Sequence, residues 1–297
     1  MKLQTERLND PSIFLAIEDL EIAARGIVEG SMLGVHRSPF TGFSCEFESH
    51  REYHLGDDLR HVNWKLWART DQMFIKQYRS DTNLQLYLAL DASGSMGTGN
   101  GPSRKWNWSA RVAAALAHLA ISCRDAAGLV LLRNGVFEHI PAQVANGQFP
   151  RILSALQATS SQGLADTSLG LDQTIHLCAR RGMVVYFGDL FDNENNAIRS
   201  LATLRYRGHE VVVFHMLDPW EIELPNEREL EFSDLETSEK IKVSTASISS
   251  AYADIVRQWQ EGIRKRCEGE GIDYFLCRTD RPMIDALLDF LGTRLGR

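Results

Sequence analysis

Asp91, Ser93 and Ser95 stand at alternate positions in the stretch LYLALDASGSMGTGNG, where an apolar run breaks off into a glycine-rich loop. One carboxylate and two hydroxyls at this spacing can turn their oxygens toward a common point, which is what a hard divalent cation requires. Magnesium takes about six oxygen ligands at about 2.1 Å and keeps several waters, so one or two carboxylates with neutral hydroxyls beside them suit it. Further oxygens stand downstream: Thr167 in ADTSLG and Asp189 in YFGDLFD. Each of these residues alone has an ordinary explanation, because Asp, Ser and Thr are favoured helix N-caps. Together, on three loops, they point to a cation.

Such a set needs a scaffold that brings three loops to one place. From about residue 84 short apolar runs alternate with amphipathic stretches, the pattern of a mainly parallel sheet flanked by helices. Strands are expected at 84–90, 128–134, 183–189, 210–217 and 272–278. A helix between the first two places Val112, Leu116, Leu119 and Cys123 on one face. A second, capped by Asp166, carries Leu171, Ile175 and Cys178 inward and runs to Arg180 and Arg181 before Gly182. A third over 249–268 is expected to bury Tyr252, Val256, Trp259 and Ile263, and PMIDALLDFLGTRLG forms the last. Ligands of open parallel sheets collect at the carboxyl ends of strands, where Asp91 and Asp189 both fall. The GSMGTGNGPSRK loop is expected to lend backbone freedom around the cation, with Arg104 and Lys105 solvated or facing a partner.

Two regions break the alternation. Residues 228–245 alternate apolar and polar about a polar turn and read as an inserted hairpin. Residues 1–82 hold a helix around 14–31 and then an aromatic, turn-rich stretch that reads as a β-rich subdomain, so the expected division is 1–82 and 83–297. His50, His54 and His61 with Asp57 and Asp58 suggest a second metal set, but Gly56 interrupts their helical spacing, and a turn with Arg–carboxylate pairing is the simpler account.

The order D-x-S-x-S, loop threonine, strand-end aspartate resembles the metal-ion-dependent adhesion site of von Willebrand factor A domains, matched here by Asp91, Ser93, Ser95, Thr167 and Asp189. The resemblance implies a von Willebrand factor A-like α/β fold, bound Mg2+ or Mn2+, and a protein partner whose Asp or Glu completes the coordination. Upstream, SPFTGFSCEFESHREYHLGDDLRHVNWKLWART is similar to an uncharacterised bacterial family commonly encoded beside MoxR-type AAA+ ATPases. That implies such an ATPase as partner and a chaperone-like role in assembling or activating another complex. Asn63 departs from the family pattern, which has aspartate before Trp64.

Composition narrows the alternatives. The net charge of -7 over 297 residues shows no basic footprint for nucleic acid. Cys45, Cys123, Cys178, Cys267 and Cys277 form no CxxC pair and read as reduced, buried thiols. No stretch approaches the ~20 apolar residues of a membrane span, and charges are scattered through the first twenty or so residues where a signal peptide has an apolar core, so a cytoplasmic location is expected. An enzyme is not expected. The Asp91 loop lacks the second carboxylate of an aspartyl-phosphate phosphatase, the G-x-S-x-G elbow and the phosphate-loop spacing. The alternative is a magnesium-dependent phosphohydrolase of small phosphorylated substrates.

Overall fold

The computed structural model of the chain describes residues 47–52, 74–78, 84–224, 230–233, 240–243 and 249–295. Strands β1 (Phe47–Glu52) and β2 (Phe74–Tyr78) pair antiparallel in a sheet of their own. The expected helix at 14–31, the histidines and carboxylates around Gly56, and Trp64 and Trp67 lie, with His50 excepted, outside the described residues.

Every residue of β3 (Gln85–Asp91) is buried, so this strand needs cover on both faces. After it come α1 (Lys105–Ser122), β4 (Ala126–Arg133), β5 (Gly135–Gln143), α2 (Gln148–Ala158), α3 (Thr167–Leu177), β6 (Met183–Gly188), α4 (Glu194–Tyr206) and β7 (Glu210–Leu217). The one-turn α5 (Pro219–Ile222) leads to the hairpin β8 (Leu230–Ser233) and β9 (Lys240–Val243), then α6 (Ser249–Gly269), β10 (Asp273–Arg278) and α7 (Met283–Leu295). The main sheet runs β10-β7-β6-β3-β4-β5, parallel throughout except for β5 against β4.

Alternation along β3 builds both cores. Leu86, Leu88 and Leu90 join residues of α1, α2 and α7, whereas Tyr87 and Ala89 join residues of α3, α4 and α6. Alanines 113, 114, 115, 117 and 120 are fully buried, and their small side chains let α1 lie close on the sheet. Burying each large aliphatic side chain contributes roughly 1.5–3 kcal/mol, so these two layers hold the strand ends still.

The expected strands and the hairpin near 228–245 are present; β5, α2 and α4 go beyond the sequence reading. β5 is an edge strand, partly exposed, and carries Pro141, which an edge tolerates. Its turn signal was legible all the same: Asn134-Gly135 is a hairpin dipeptide, and Gly135 takes φ 86°. α3 stops at Leu177 rather than running to Arg181, and the irregular 178–182 segment beyond it is tied to the sheet by the Tyr87 hydroxyl, which donates to the Arg180 carbonyl at 3.1 Å. On α6, Val256 and Ile263 are buried as expected, but Tyr252 and Trp259 are only half-buried. Among the described residues no helix is long and apolar enough to cross a membrane.

Candidate metal centre

Counted within the main sheet, the strand order is 3-2-1-4-5-6, and it reverses between β3 and β6. Ligands of open α/β sheets sit at this crevice. Leu90 is in register with Phe187, so Asp91 and Asp189 leave adjacent strand ends as diagonal neighbours. Asp91 continues the parity of Tyr87 and Ala89, toward the α3 side. Asp189 continues that of Val185 and Phe187, toward the α1 side.

The loop after Asp91 is more fixed than its glycines suggest. Ser93 donates its N–H to Asp91 Oδ1 at 2.8 Å, and the Ser93 and Ser95 hydroxyls lie 3.0 Å apart. Ser95–Gly97 form a single 3-10 turn in which Met96 is buried, and Thr98 closes it by donating to the Ser95 carbonyl at 2.8 Å. The expected backbone freedom is therefore confined to the tip, where Gly99 and Gly101 have positive φ. A second loop is laced onto this one: Gln162 donates to the Ala92 carbonyl at 3.0 Å, and Gly94 to the Gly163 carbonyl at 2.8 Å. Asp166 accepts from Leu169 N–H at 2.9 Å as the N-cap of α3 and so delivers Thr167, buried, to the same crevice. Asp192, three residues past Asp189, accepts the Thr167 N–H at 2.7 Å.

The structure thus brings Asp91, Ser93, Ser95, Thr167 and Asp189 together, and it adds a residue that the sequence reading placed outside. Lys105 is neither solvated nor partner-facing. Its ammonium is fully buried, 2.8 Å from Asp189 Oδ2 and 2.7 Å from Glu221 Oε1, with the Phe191 ring centroid 4.9 Å away. The reason lies in α5: Asp218 and Glu221 form a capping box that points Glu221 back at the start of α1. Arg104, in contrast, is exposed as expected.

These contacts set the charges. Burial, then the nearby Asp189 charge, pushes the Asp91 carboxyl up to about 7. Its Oδ2 is buried without a hydrogen-bond partner. Burial acts the same way on Asp189, but the Lys105 ammonium outweighs it, the Ser95 side chain helps, and the carboxyl is held below its usual range. Lys105 is lowered by burial and raised more by its two carboxylates, so it stays charged. Glu221 is raised, burial outweighing the pull of Lys105.

Behind the crevice, His215 is held neutral by burial, its pKa lowered to about 4. A carbonyl can only accept, so His215 Nε2 carries the proton donated to the Asp189 carbonyl at 2.8 Å. Nδ1 then accepts from Tyr274 at 2.6 Å. That contact steadies the turn in which buried Leu190 takes φ 58°, a left-handed conformation costly for a branched side chain. Tyr186 rises on the α3 side, passing over Gly188, where a Cβ would lie 2.0 Å from its hydroxyl oxygen. That hydroxyl leans toward Thr167 but closes no hydrogen bond of normal geometry. Burial, followed by the charges of Asp91, Asp189 and Asp192, raises its pKa well above the usual tyrosine range.

Tyr186, Asp192, Glu221, Lys105 and His215 were not singled out as part of this site by spacing alone. Asp192 stood in the quoted YFGDLFD, and the Asp218–Glu221 capping box was legible; nothing local marked Lys105 or His215.

A divalent cation fits this donor set. Its two carboxylates and three hydroxyls belong to loops at one crevice, the Ser93 and Ser95 hydroxyls lie 3.0 Å apart, and one buried carboxylate oxygen, Asp91 Oδ2, lacks a hydrogen-bond partner among the described residues. Among the described residues no group of three or more His, Cys, Asp or Glu side chains could hold a metal, so any site here depends on hydroxyl oxygens, as magnesium and manganese permit. Leu164, Leu169, Phe191 and Trp220, from the loops and helix starts that surround the crevice, are exposed apolar side chains.

The chain is similar to the uncharacterized protein Rv1480 of Mycobacterium tuberculosis, 26% identical over 292 residues that cover 97% of this chain and 91% of the relative. An uncharacterized protein of Mycobacterium bovis matches to the same extent. Among solved structures it is similar to the conserved hypothetical protein BatB from Bacteroides thetaiotaomicron (13% identity, TM-score 0.49, covering 72% of this chain and all of that one). It is also similar to the SpRpn10 VWA domain (13% identity, TM-score 0.39, covering 69% of this chain and 94% of that one). These superpositions are loose, and the fold is read from the strand order rather than from them. The family described as "Protein of unknown function DUF58" matches residues 49–262, and the chain belongs to that family.

Proposed function

We propose that this chain is a non-enzymatic protein-binding module that holds Mg2+ or Mn2+ on Asp91, Ser93, Ser95, Thr167 and Asp189 and uses it to grip an acidic side chain of a partner. The observation that carries the reading is the buried Asp91 Oδ2, a carboxylate oxygen with no partner, set at the switch point beside Asp189 and three hydroxyls. A bound divalent cation would supply positive charge for a partner's Asp or Glu. This chain's own residues hold the donors in place: the Ser93 N–H orients Asp91, His215 fixes the Asp189 backbone, and Asp192 fixes Thr167. The exposed Leu164, Leu169, Phe191 and Trp220 supply apolar contact around a polar centre, as protein interfaces do.

The partner we propose is a MoxR-type AAA+ ATPase, on the resemblance of the stretch before residue 83, with a chaperone-like role in assembling or activating another complex. The test uses the purified ATPase encoded by the same genome, with binding measured in Mg2+ and in EDTA for wild type and for Ser93→Ala with Ser95→Ala. Binding that is strong in Mg2+ and lost in EDTA and in the double variant is expected. Equal retention under all three conditions would place the interface elsewhere and end the cation reading of it.

A further inference from the structure

We infer that Lys105 is a tethered cation of the metal centre: its ammonium competes with the divalent ion for Asp189 and keeps the metal-free protein folded. This inference rests on the cation reading above and extends it to a residue outside the donor set.

The placement of Lys105 is costly unless it serves the carboxylates. It is the first residue of α1, where the helix macrodipole opposes a positive charge, and its side chain is fully shielded from water. Asp189 and Glu221 hold it there, at 2.8 and 2.7 Å, under the Phe191 ring. The consequence for the centre is a division of oxygens. Asp189 gives Oδ2 to Lys105, while Oδ1 accepts the Phe191 N–H at 3.3 Å, a long contact, and the Ser95 side chain also supports the carboxylate. Asp91, on the far side, pairs with no cation among the described residues. Lys105 therefore neutralises one half of the crevice and leaves the other open. A divalent ion entering near Asp91 must share Asp189 with a unit positive charge. Glu221 gives the ammonium a place to stay when it does. With Lys105 present, the centre gains a cation only where the divalent ion out-competes the tether, which lowers affinity and makes occupancy reversible.

The experiment uses the full chain, stripped of metal, with Mn2+ as probe. Wild type, Lys105→Met, Lys105→Gln and Asp91→Ala are compared by calorimetric titration and by thermal melts in EDTA and in excess Mn2+. Removing a unit charge at this distance is expected to tighten Mn2+ binding by roughly ten-fold or more in both Lys105 variants. Both should melt well below wild type in EDTA and regain most of that loss in Mn2+, because the ion takes over the neutralising role. Mn2+ affinity unchanged from wild type, or a melting loss that Mn2+ does not recover, would make Lys105 a purely structural counter-ion and overturn the proposal. So would failure of both variants to fold with Mn2+ present. Failure of the underlying cation reading shows separately, as Asp91→Ala binding Mn2+ like wild type or as no chain binding it, and either result takes this inference with it.

Discussion

Asp91→Asn should stabilise the metal-free protein and abolish its response to metal. In the unfolded chain this carboxyl loses its proton near 3.8, and in the folded protein at about 7. Between those values the folded chain binds more protons than the unfolded one, so stability falls as pH rises through this window, and the full cost is felt above about pH 7. A difference of roughly three pH units at about 1.4 kcal/mol each is on the order of 4 kcal/mol. Asparagine removes the charge and keeps an oxygen for the Ser93 N–H, but it buries an amide N–H2 where Oδ2 has no partner, at about 1–3 kcal/mol. The net gain is then about 1–3 kcal/mol, or roughly 3–10 °C in melting temperature for a domain of this size. Thermal melts in EDTA at about pH 5 and pH 8 are the assay. Asp91→Asn should melt above wild type at the higher pH and lose that advantage at the lower. Saturating Mg2+ should reverse the order, since a ligand at one thousand times Kd stabilises wild type by about 4.1 kcal/mol. A variant no more stable than wild type in EDTA at pH 8, or equally stabilised at both pH values, would refute the reasoning.

Two further outcomes follow from the same crevice. Gly188→Ala sets a methyl against the Tyr186 hydroxyl and should cost about 1–3 kcal/mol in urea unfolding, whereas Tyr186→Phe in the Gly188→Ala background should restore only part of the loss, because the ring Cζ still lies 2.5 Å from the methyl. Incubation with p-nitrophenyl phosphate and Mg2+ should release no phosphate above background, because Lys105 is locked between two carboxylates, Tyr186 is held protonated and so is no nucleophile, and on the cation reading Asp91 is taken up by the metal rather than free to move a proton; release abolished by Asp91→Ala would establish the phosphohydrolase alternative.

The five candidate residues could be picked out before any fold was known, because their signals are local. D-x-S-x-S needs one turn, Asp166-Thr167 opens a helix, and Asp189 ends an apolar run, and each element forms where its own periodicity and caps direct it. The same is true of the parallel sheet, in which β3, β4, β6 and β7 are buried and read as continuous apolar runs, while edge strand β10 is mostly half-buried. Edge strand β5 was not legible as a strand, since half-exposed residues and Pro141 erase the pattern that burial writes. The tertiary structure alone decided the state of Lys105. Its partners stand 84 and 116 residues away, and a lysine beginning a helix after GTGNGPSR reads as a surface charge until α5 is packed against it. Tertiary packing likewise set the raised Asp91 carboxyl, the unpartnered Tyr186 hydroxyl and the neutral His215, because each depends on which low-dielectric neighbours close around it. Spacing along the chain can name donors for a cation; only the folded arrangement determines how many of their charges are already neutralised.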